Sequence, residues 1–309
     1  MKKIIYTSIS FLMLIVFTKE SKAQQDAMYT QYMFNTLAIN PAYAGSRNVI
    51  STTALYRNQW AGYDGAPKTS TFTIDAPIND KKIGLGLQIF NDRLGITNTT
   101  GLVLSSAYRI RMERGTLSFG LQGSANHRRA DYTQVKLDQF GTSVDPAFQE
   151  FVNSTNFNIG TGIYYNSDNF YVGLSAPELL PAKFGSQSNT NLSKQEIHLF
   201  LIAGFVASLS DDLKLKPSVL VKQVKGAPIE GDLNATFWIK DVLGIGGSYR
   251  TNADVSGLLE IQATQQIRIG YSYDHSITKL QSFNTGSHEI MLRYEFGFEK
   301  DKFISPRFF

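Results

Sequence analysis

Four histidines, His127, His198, His275 and His288, are the side chains of this 309-residue chain best suited to moving protons or holding a metal at neutral pH. Asp274-His275-Ser276 contains the residue types of a nucleophilic triad. Neighbours on a strand point to opposite faces, however, so contiguity counts against a shared site there. His127 lies near Asp131 at the mouth of a long loop, where a hydrated loop histidine is the simplest reading. His198 and His288 fall on strand-like segments and belong in a girdle or a lumen. No HExxH, no paired histidines at ligand spacing and no GxSxG occurs. Gly84-Leu85-Gly86 lacks the third glycine of a phosphate loop and continues as a strand. Asp92, Asp131, Asp138 and Asp145 fall in expected loops without the spacing of a calcium loop. The absence of cysteine removes thiol nucleophiles, disulfides, redox pairs and a lipidated N-terminal Cys. The reading is a non-enzymatic chain with no catalytic, cofactor-binding or metal-binding residues and no cofactor.

The elements that would position any site come next. Lys2 and Lys3 precede a mostly apolar run over 4–17 and a polar stretch ending Ser21-Lys22-Ala23, the order of a secretory signal peptide cut after Ala23. A single membrane anchor is the alternative, but the run is short of the ~20 residues a spanning helix needs. The cut removes four lysines and one glutamate, so the formal charge of +4 falls to +1. No basic stripe remains, which excludes nucleic acid as a partner. Charged residues are 18% against the ~25% usual in soluble domains, while aromatics reach 12%, led by 21 Phe and 15 Tyr.

After the leader the chain alternates with period two. Ile83, Leu85, Leu87 and Ile89 oppose Gly84, Gly86 and Gln88; Leu233, Ala235, Phe237 and Ile239 oppose Asp232, Asn234 and Thr236; Ile267, Ile269, Tyr271 and Tyr273 oppose Arg268, Gly270, Ser272 and Asp274. The pattern predicts strands near 49–57, 67–76, 82–91, 99–110, 116–127, 156–165, 169–176, 196–208, 213–224, 231–239, 242–250, 257–264, 266–274 and 287–297. Connections run short at 77–81, 111–115, 166–168, 209–212, 240–241 and 265. They run longer near 58–66, 92–98, 128–155, 177–195, 225–230, 251–256 and 275–286. An all-β fold of about 14 antiparallel strands, with tight turns at one end and longer loops at the other, is expected of a transmembrane β-barrel of the outer membrane. An even count returns both barrel ends to the periplasmic side. A soluble sandwich also alternates, but no linker divides 49–297 into two domains.

Aromatics at strand ends (Tyr56, Trp60, Phe90, Tyr108, Tyr164, Tyr165, Phe170, Tyr249, Tyr273, Tyr294, Phe296) fit interfacial girdles. Gly84, Gly86, Gly120, Gly160, Gly162, Gly173, Gly246 and Gly270 share the opposite face with Lys214, Lys216, Lys222, Asp232, Glu260, Arg268, Glu289 and Arg293. Lipid penalises such charges by ~2–4 kcal/mol each near the midplane, which assigns them to the lumen. Their mixed signs favour a packed interior over an ion-selective pore.

The segment before the first strand runs Gln24-Gln25-Asp26-Ala27-Met28-Tyr29-Thr30-Gln31-Tyr32-Met33-Phe34-Asn35 and on to Asn40-Pro41-Ala42-Tyr43-Ala44-Gly45. Tyr29, Tyr32, Met33 and Leu37 share a face if the segment is helical, with Asn40-Pro41 as its stop. Such a face docks in the lumen or at the rim, or meets periplasmic partners. With Arg57-Asn58-Gln59-Trp60 and the ending Ser305-Pro306-Arg307-Phe308-Phe309, these residues make the chain resemble the PorP/SprF proteins of the type IX secretion system in Bacteroidetes. Ala27 stands where that family would carry proline. The resemblance implies an outer-membrane barrel that helps secrete, or anchor at the cell surface, a large cargo protein with a type B C-terminal domain, often an adhesin of gliding bacteria. Other type IX components and outer-membrane lipid are the further partners it implies.

No catalytic residues carry over from that family. The cargo-contact candidates are Tyr132, Phe140, Phe148 and Phe151 on the 128–155 loop, which otherwise serves as a lid, together with Trp60. A porin-like channel for solute diffusion is the alternative function. The final strand, with Tyr294, Phe296 and Phe298, reads either as an assembly signal or as ordinary last-strand alternation. The expected layout is a signal peptide at 1–23, the N-terminal segment at 24–48, the barrel at 49–298 and a C-terminal tail at 299–309.

Overall fold

A computed structural model describes residues 28–134, 151–181, 183–184, 193–194 and 196–296. The alternation becomes fourteen strands: β1 (Ile50–Asn58), β2 (Lys68–Ile78), β3 (Ile83–Leu94), β4 (Thr97–Met112), β5 (Gly115–Asp131), β6 (Phe151–Asn166), β7 (Phe170–Ala176), β8 (His198–Phe205), β9 (Leu213–Val224), β10 (Glu230–Ile239), β11 (Leu243–Arg250), β12 (Asp254–Gln262), β13 (Ile267–Ser276) and β14 (Ser287–Phe296). Every strand pairs antiparallel with its sequence neighbour, and β1 pairs with β14 from Ile50↔Phe296 to Asn58↔His288. That last ladder closes the sheet into a barrel. Past Val206, Ala207–Ser208 prolongs the line of β8 along β9, and Lys183–Phe184 pairs with Ser193–Lys194 in the β7–β8 connection.

The side chains sort by face as the period demands. Leu85, Leu104, Phe119, Leu121, Ile159, Leu174, Phe237 and Leu292 are exposed on the outer wall. Arg57, Asp75, Lys216, Lys222, Asp232, Glu260, Arg268, Glu289 and Arg293 are buried on the inner one. Lys214 shares that inner face at the turn end, where it is part-buried and binds Asp241 at 2.7 Å. Two aromatics expected in the girdles also face inward. Tyr164 is buried, and the ring of Phe90 covers Gly101, whose missing side chain leaves room for it.

Two connections expected to be long are tight. Strands β3 and β4 run on to a turn at Gly95-Ile96, where Gly95 takes φ +56°, and β11 joins β12 through residues 251–253. Asp92, Arg93 and Leu94 keep pairing with Thr99, Asn98 and Thr97 after the outward face has turned polar, so the ladder outlasts the apolar alternation by which a strand is recognised. Asp92, expected in a loop, is therefore a β3 residue and accepts a hydrogen bond from Thr69 at 2.7 Å.

Closure is open to a direct check because the chain has no native cysteine. Ala54 and Leu292 lie opposite each other across the β1–β14 ladder, with Cβ atoms roughly 5 Å apart as in any such pair. The double variant Ala54→Cys/Leu292→Cys is expected to cross-link under mild oxidation and to shift the mobility of the denatured chain. The pair Ala54→Cys/Leu259→Cys is expected not to.

Candidate functional site

Fourteen strands enclose more space than their own side chains fill, and the N-terminal segment occupies it. Every residue from Tyr29 to Arg47 except Ala38 is buried. A helix with one apolar face does not suit a strand of chain surrounded on all sides. The backbone instead takes three 3-10 turns, at Tyr32–Phe34, Thr36–Ala38 and Pro41–Tyr43. The amphipathic helix expected over Tyr29, Tyr32, Met33 and Leu37 is thus replaced by short turns whose polar groups reach the wall in every direction.

The segment runs the length of the lumen, starting at the loop end. Met28 Sδ lies 3.6 Å from Lys222 Nζ near the loop end of β9. Tyr29 bonds Thr71 at 2.8 Å, and its carbonyl accepts from Arg250 at 3.2 Å. The backbone N–H groups of Thr30 and Gln31 donate to the two oxygens of Glu289 at 3.0 and 2.8 Å. Arg57 Nη1 joins that carboxylate at 3.0 Å, Asp274 at 2.7 Å and the Thr30 hydroxyl at 2.9 Å. Thr30 in turn donates to Asp274 at 2.8 Å. Arg250 holds Asp232 alongside at 2.7 Å. Asp274 therefore points into the lumen while His275 points out, and the triad-like sequence forms no shared site.

Midway down, the Phe34 ring sits among three cations. Lys216 Nζ, Arg293 Cζ and Arg268 Cζ lie 4.8, 5.4 and 5.6 Å from its centroid, each within cation–π range. Arg293 also donates to the Phe34 carbonyl.

At the turn end the Asn40-Pro41-Ala42-Tyr43-Ala44-Gly45 motif meets a wall of glycine. A Cβ on Gly84 would overlap the carbonyl of Ala44, one on Gly120 the backbone of Pro41 and Ala42, and one on Gly162 the side chain of Asn40. Gly270 is held open in the same way for Gln31. Asn40 Oδ1 caps the third turn through Ala42 N–H at 3.0 Å, and its Nδ2 donates to the Ile163 carbonyl at 3.1 Å. Tyr43 packs edge-on against Tyr164 with centroids 5.5 Å apart, which is why Tyr164 is inside. Gly45 turns with φ +71° and donates to Asp75 at 2.8 Å. Arg47 then pairs with Glu295, and β1 begins.

The cargo-contact candidates are more scattered. Trp60 sits half-buried at the rim with φ +49°, its N–H on Ser287 Oγ at 3.1 Å. Tyr132 is half-buried in a 3-10 turn after β5, and Phe151 is exposed at the start of β6. All three stand at the loop end, while Phe140, Phe148, Asp138 and Asp145 lie outside the described residues. His127 is a β5 residue bonded to Thr155 at 2.9 Å and to Arg129 at 3.1 Å. His198 is buried in the lumen, and His288 bonds Tyr271 at 2.7 Å on the outer wall. The sequence pattern puts Asp274 and Glu289 on the inward face but leaves Arg57 unmarked, because β1 carries no glycine to identify that face.

The model of the type IX secretion system membrane protein PorP/SprF family matches residues 21–294. The chain belongs to that family. A closed barrel with an apolar belt in a family of secretion-system membrane proteins is an outer-membrane protein. Among curated proteins none matches. Solved structures similar to it include the Acinetobacter baumannii outer membrane protein Omp33 (8% identity, TM-score 0.45, covering 81% of this chain and 98% of that one). A Pseudomonas aeruginosa FadL homologue (12%, 0.47, 87% and 94%) and the CymD monoaromatic hydrocarbon channel (13%, 0.45, 87% and 93%) are others.

Two outcomes test the seat and the clamp. Gly120→Val and Gly162→Val force a side chain into backbone or Asn40, and each should cost about 1–3 kcal/mol and expose the 28–48 segment to protease while the barrel stays folded. Arg57→Met leaves Asp274 and Glu289 buried without their cation and should cost roughly 3–5 kcal/mol, read as a lowered heat-unfolding temperature in detergent.

Proposed function

We propose that this chain is a surface anchor of type IX secretion, a plugged barrel whose loop end helps to secrete or holds a large cargo protein with a type B C-terminal domain. An adhesin of a gliding bacterium is the cargo this reading favours. The filled lumen carries the reading: a segment fixed to the wall at both ends and in the middle suits a holder better than a channel. Solute diffusion, the rival function, needs that space clear. Membership of the secretion family supports the same choice and adds other secretion components as partners.

In this reading residues 1–23 are a signal peptide removed after Ala23, residues 24–48 are the plug and residues 299–309 form a tail beyond the barrel. Cargo meets the rim at Trp60, Tyr132 and Phe151, together with Phe140 and Phe148 of the same loop. The protein does no chemistry of its own; its work is binding.

A tagged copy drawn from its native outer membrane in mild detergent should bring down one large secreted protein, and removing that protein's C-terminal domain should end the association. Deleting residues 133–150 should abolish cargo retention while the barrel still assembles. Cargo retained by the deletion variant would contradict the loop assignment, and a barrel recovered without any partner would return the protein to the porin class. The plug's direction has its own readout. Met28→Cys should react with a membrane-impermeant maleimide added to intact cells, because residue 28 lies at the loop end, whereas Asn48→Cys at the turn end should not.

A further inference from the structure

The outer wall changes character in steps along β2 to β6. Residues opposite one another across antiparallel strands face the same way, so the register defines rows. Phe72, Ile89, Leu102, Ala125 and Phe157 form an apolar row. One step toward the loop end, Ser70, Asn91, Thr100, His127 and Thr155 form a neutral polar row. The next row holds Lys68, Arg93, Asn98, Arg129 and Asn153, all exposed. Successive rows are about 7 Å apart, and Arg93 stands about 10 Å from Arg129 across two strand spacings.

Three cations thus stand on the outward face where the belt ends. Among the described residues no carboxylate is ion-paired to Lys68, Arg93 or Arg129. Arg129 is aimed along the wall by its bond to His127. Followed by register the other way round the barrel, the Lys68 row continues through Asn58, His288, Tyr273, Gly257, Gly247 and Ala235, with no Lys or Arg. The charge therefore belongs to one sector of the collar. Beneath the Lys68–Arg93 end of the row is a groove of about 430 Å³ on the lipid-facing wall, lined from β14 and β1 to β4 by Ala54, Tyr56, Ser70, Phe72, Ile89 and Ile290 among others.

We infer that the Lys68–Arg93–Arg129 row, with the groove below it, binds a phosphorylated lipid of the outer leaflet, its phosphates on the cations and an acyl chain in the groove. The fit rests on charge complementarity and on continuity with the lipid-facing belt. Asn98 and Asn153 supply neutral donors between and beside the cations, and Asn91, already bonded to Asn98 and Thr100 at 2.6 and 2.9 Å, stiffens the row beneath them. A lipid fixed to this wall would orient the tall β4–β6 sheet from which the cargo-side loop rises.

The test uses the full-length mature barrel in phosphatidylcholine nanodiscs containing either bisphosphorylated lipid A or its dephosphorylated form, with bound lipid counted by native mass spectrometry after detergent release. Wild type should retain the phosphorylated form at least roughly tenfold better, since one basic residue near an anionic surface is worth about fivefold. The Lys68→Gln/Arg93→Gln/Arg129→Gln variant should lose that preference, and the turn-end Lys82→Gln/Arg111→Gln variant should keep it. Equal retention of the two lipids by wild type overturns the inference, and this arm decides alone if the triple variant fails to assemble. An assembled triple variant with unchanged preference overturns it as well. If that variant instead loses cargo while keeping lipid, the row is a protein contact and the lipid assignment fails, leaving the anchor reading intact.

Discussion

Polar atoms on the inner face of a barrel this wide need partners, and the rest of the structure depends on how that need is met. Arg57, Asp274 and Glu289 are buried as completely as any core leucine, and charges so placed are costly unless they are paired. Part of the answer comes from the wall itself, since Arg57 bridges two carboxylates. The remainder comes from the N-terminal segment, whose Thr30 and Gln31 amides face Glu289 and whose Thr30 hydroxyl lies between Arg57 and Asp274. Wall and plug therefore hold each other through Arg57 Nη1, Glu289 and Thr30, while Arg57 Nε and Nη2 and Asp274 Oδ1 make no hydrogen bond among the described residues.

Close packing of the plug needs more than charge. A backbone can approach another backbone only where side chains are missing, and the inward glycines of β3, β5 and β6 provide that at the Asn40–Gly45 motif. Phe34 adds a centre that no single strand contributes, since its three cations come from β9, β13 and β14. The segment is thus tied to both halves of the sheet. Its start lies at the loop end, where cargo would be met, and its finish leads directly into β1. A barrel organised in this way is internally braced, as the proposed anchor role requires.

The strands were legible because lipid outside and polar groups inside impose a strict period of two, so all fourteen could be placed from apolar alternation alone. Their outer ends were not, because Asp92, Arg93 and Leu94 keep a ladder with Thr99, Asn98 and Thr97 where the outward face is polar. The lumen assignment of Glu289 and Arg293 followed from the cost of charge in lipid. Phe90 and Tyr164 were misplaced in the girdles because their position near strand ends was followed instead of their parity, which continues the inward Gly84–Gly86–Gln88 and Gly160–Gly162 sets. The glycines announced that something small was needed; nothing local named Ala44, Ala42 and Asn40 as the groups they admit. The plug's 3-10 turns were hidden for the same reason, since total burial in a charged lumen leaves no amphipathic signature.

The most direct test of the central claim, that the lumen is filled by the protein's own N-terminal segment, is single-channel recording in a planar bilayer. The mature barrel should show no stable open level, and a variant lacking residues 28–45 should show a steady conductance of porin size. A large, steady conductance from the intact protein, unchanged by the deletion, would contradict the account.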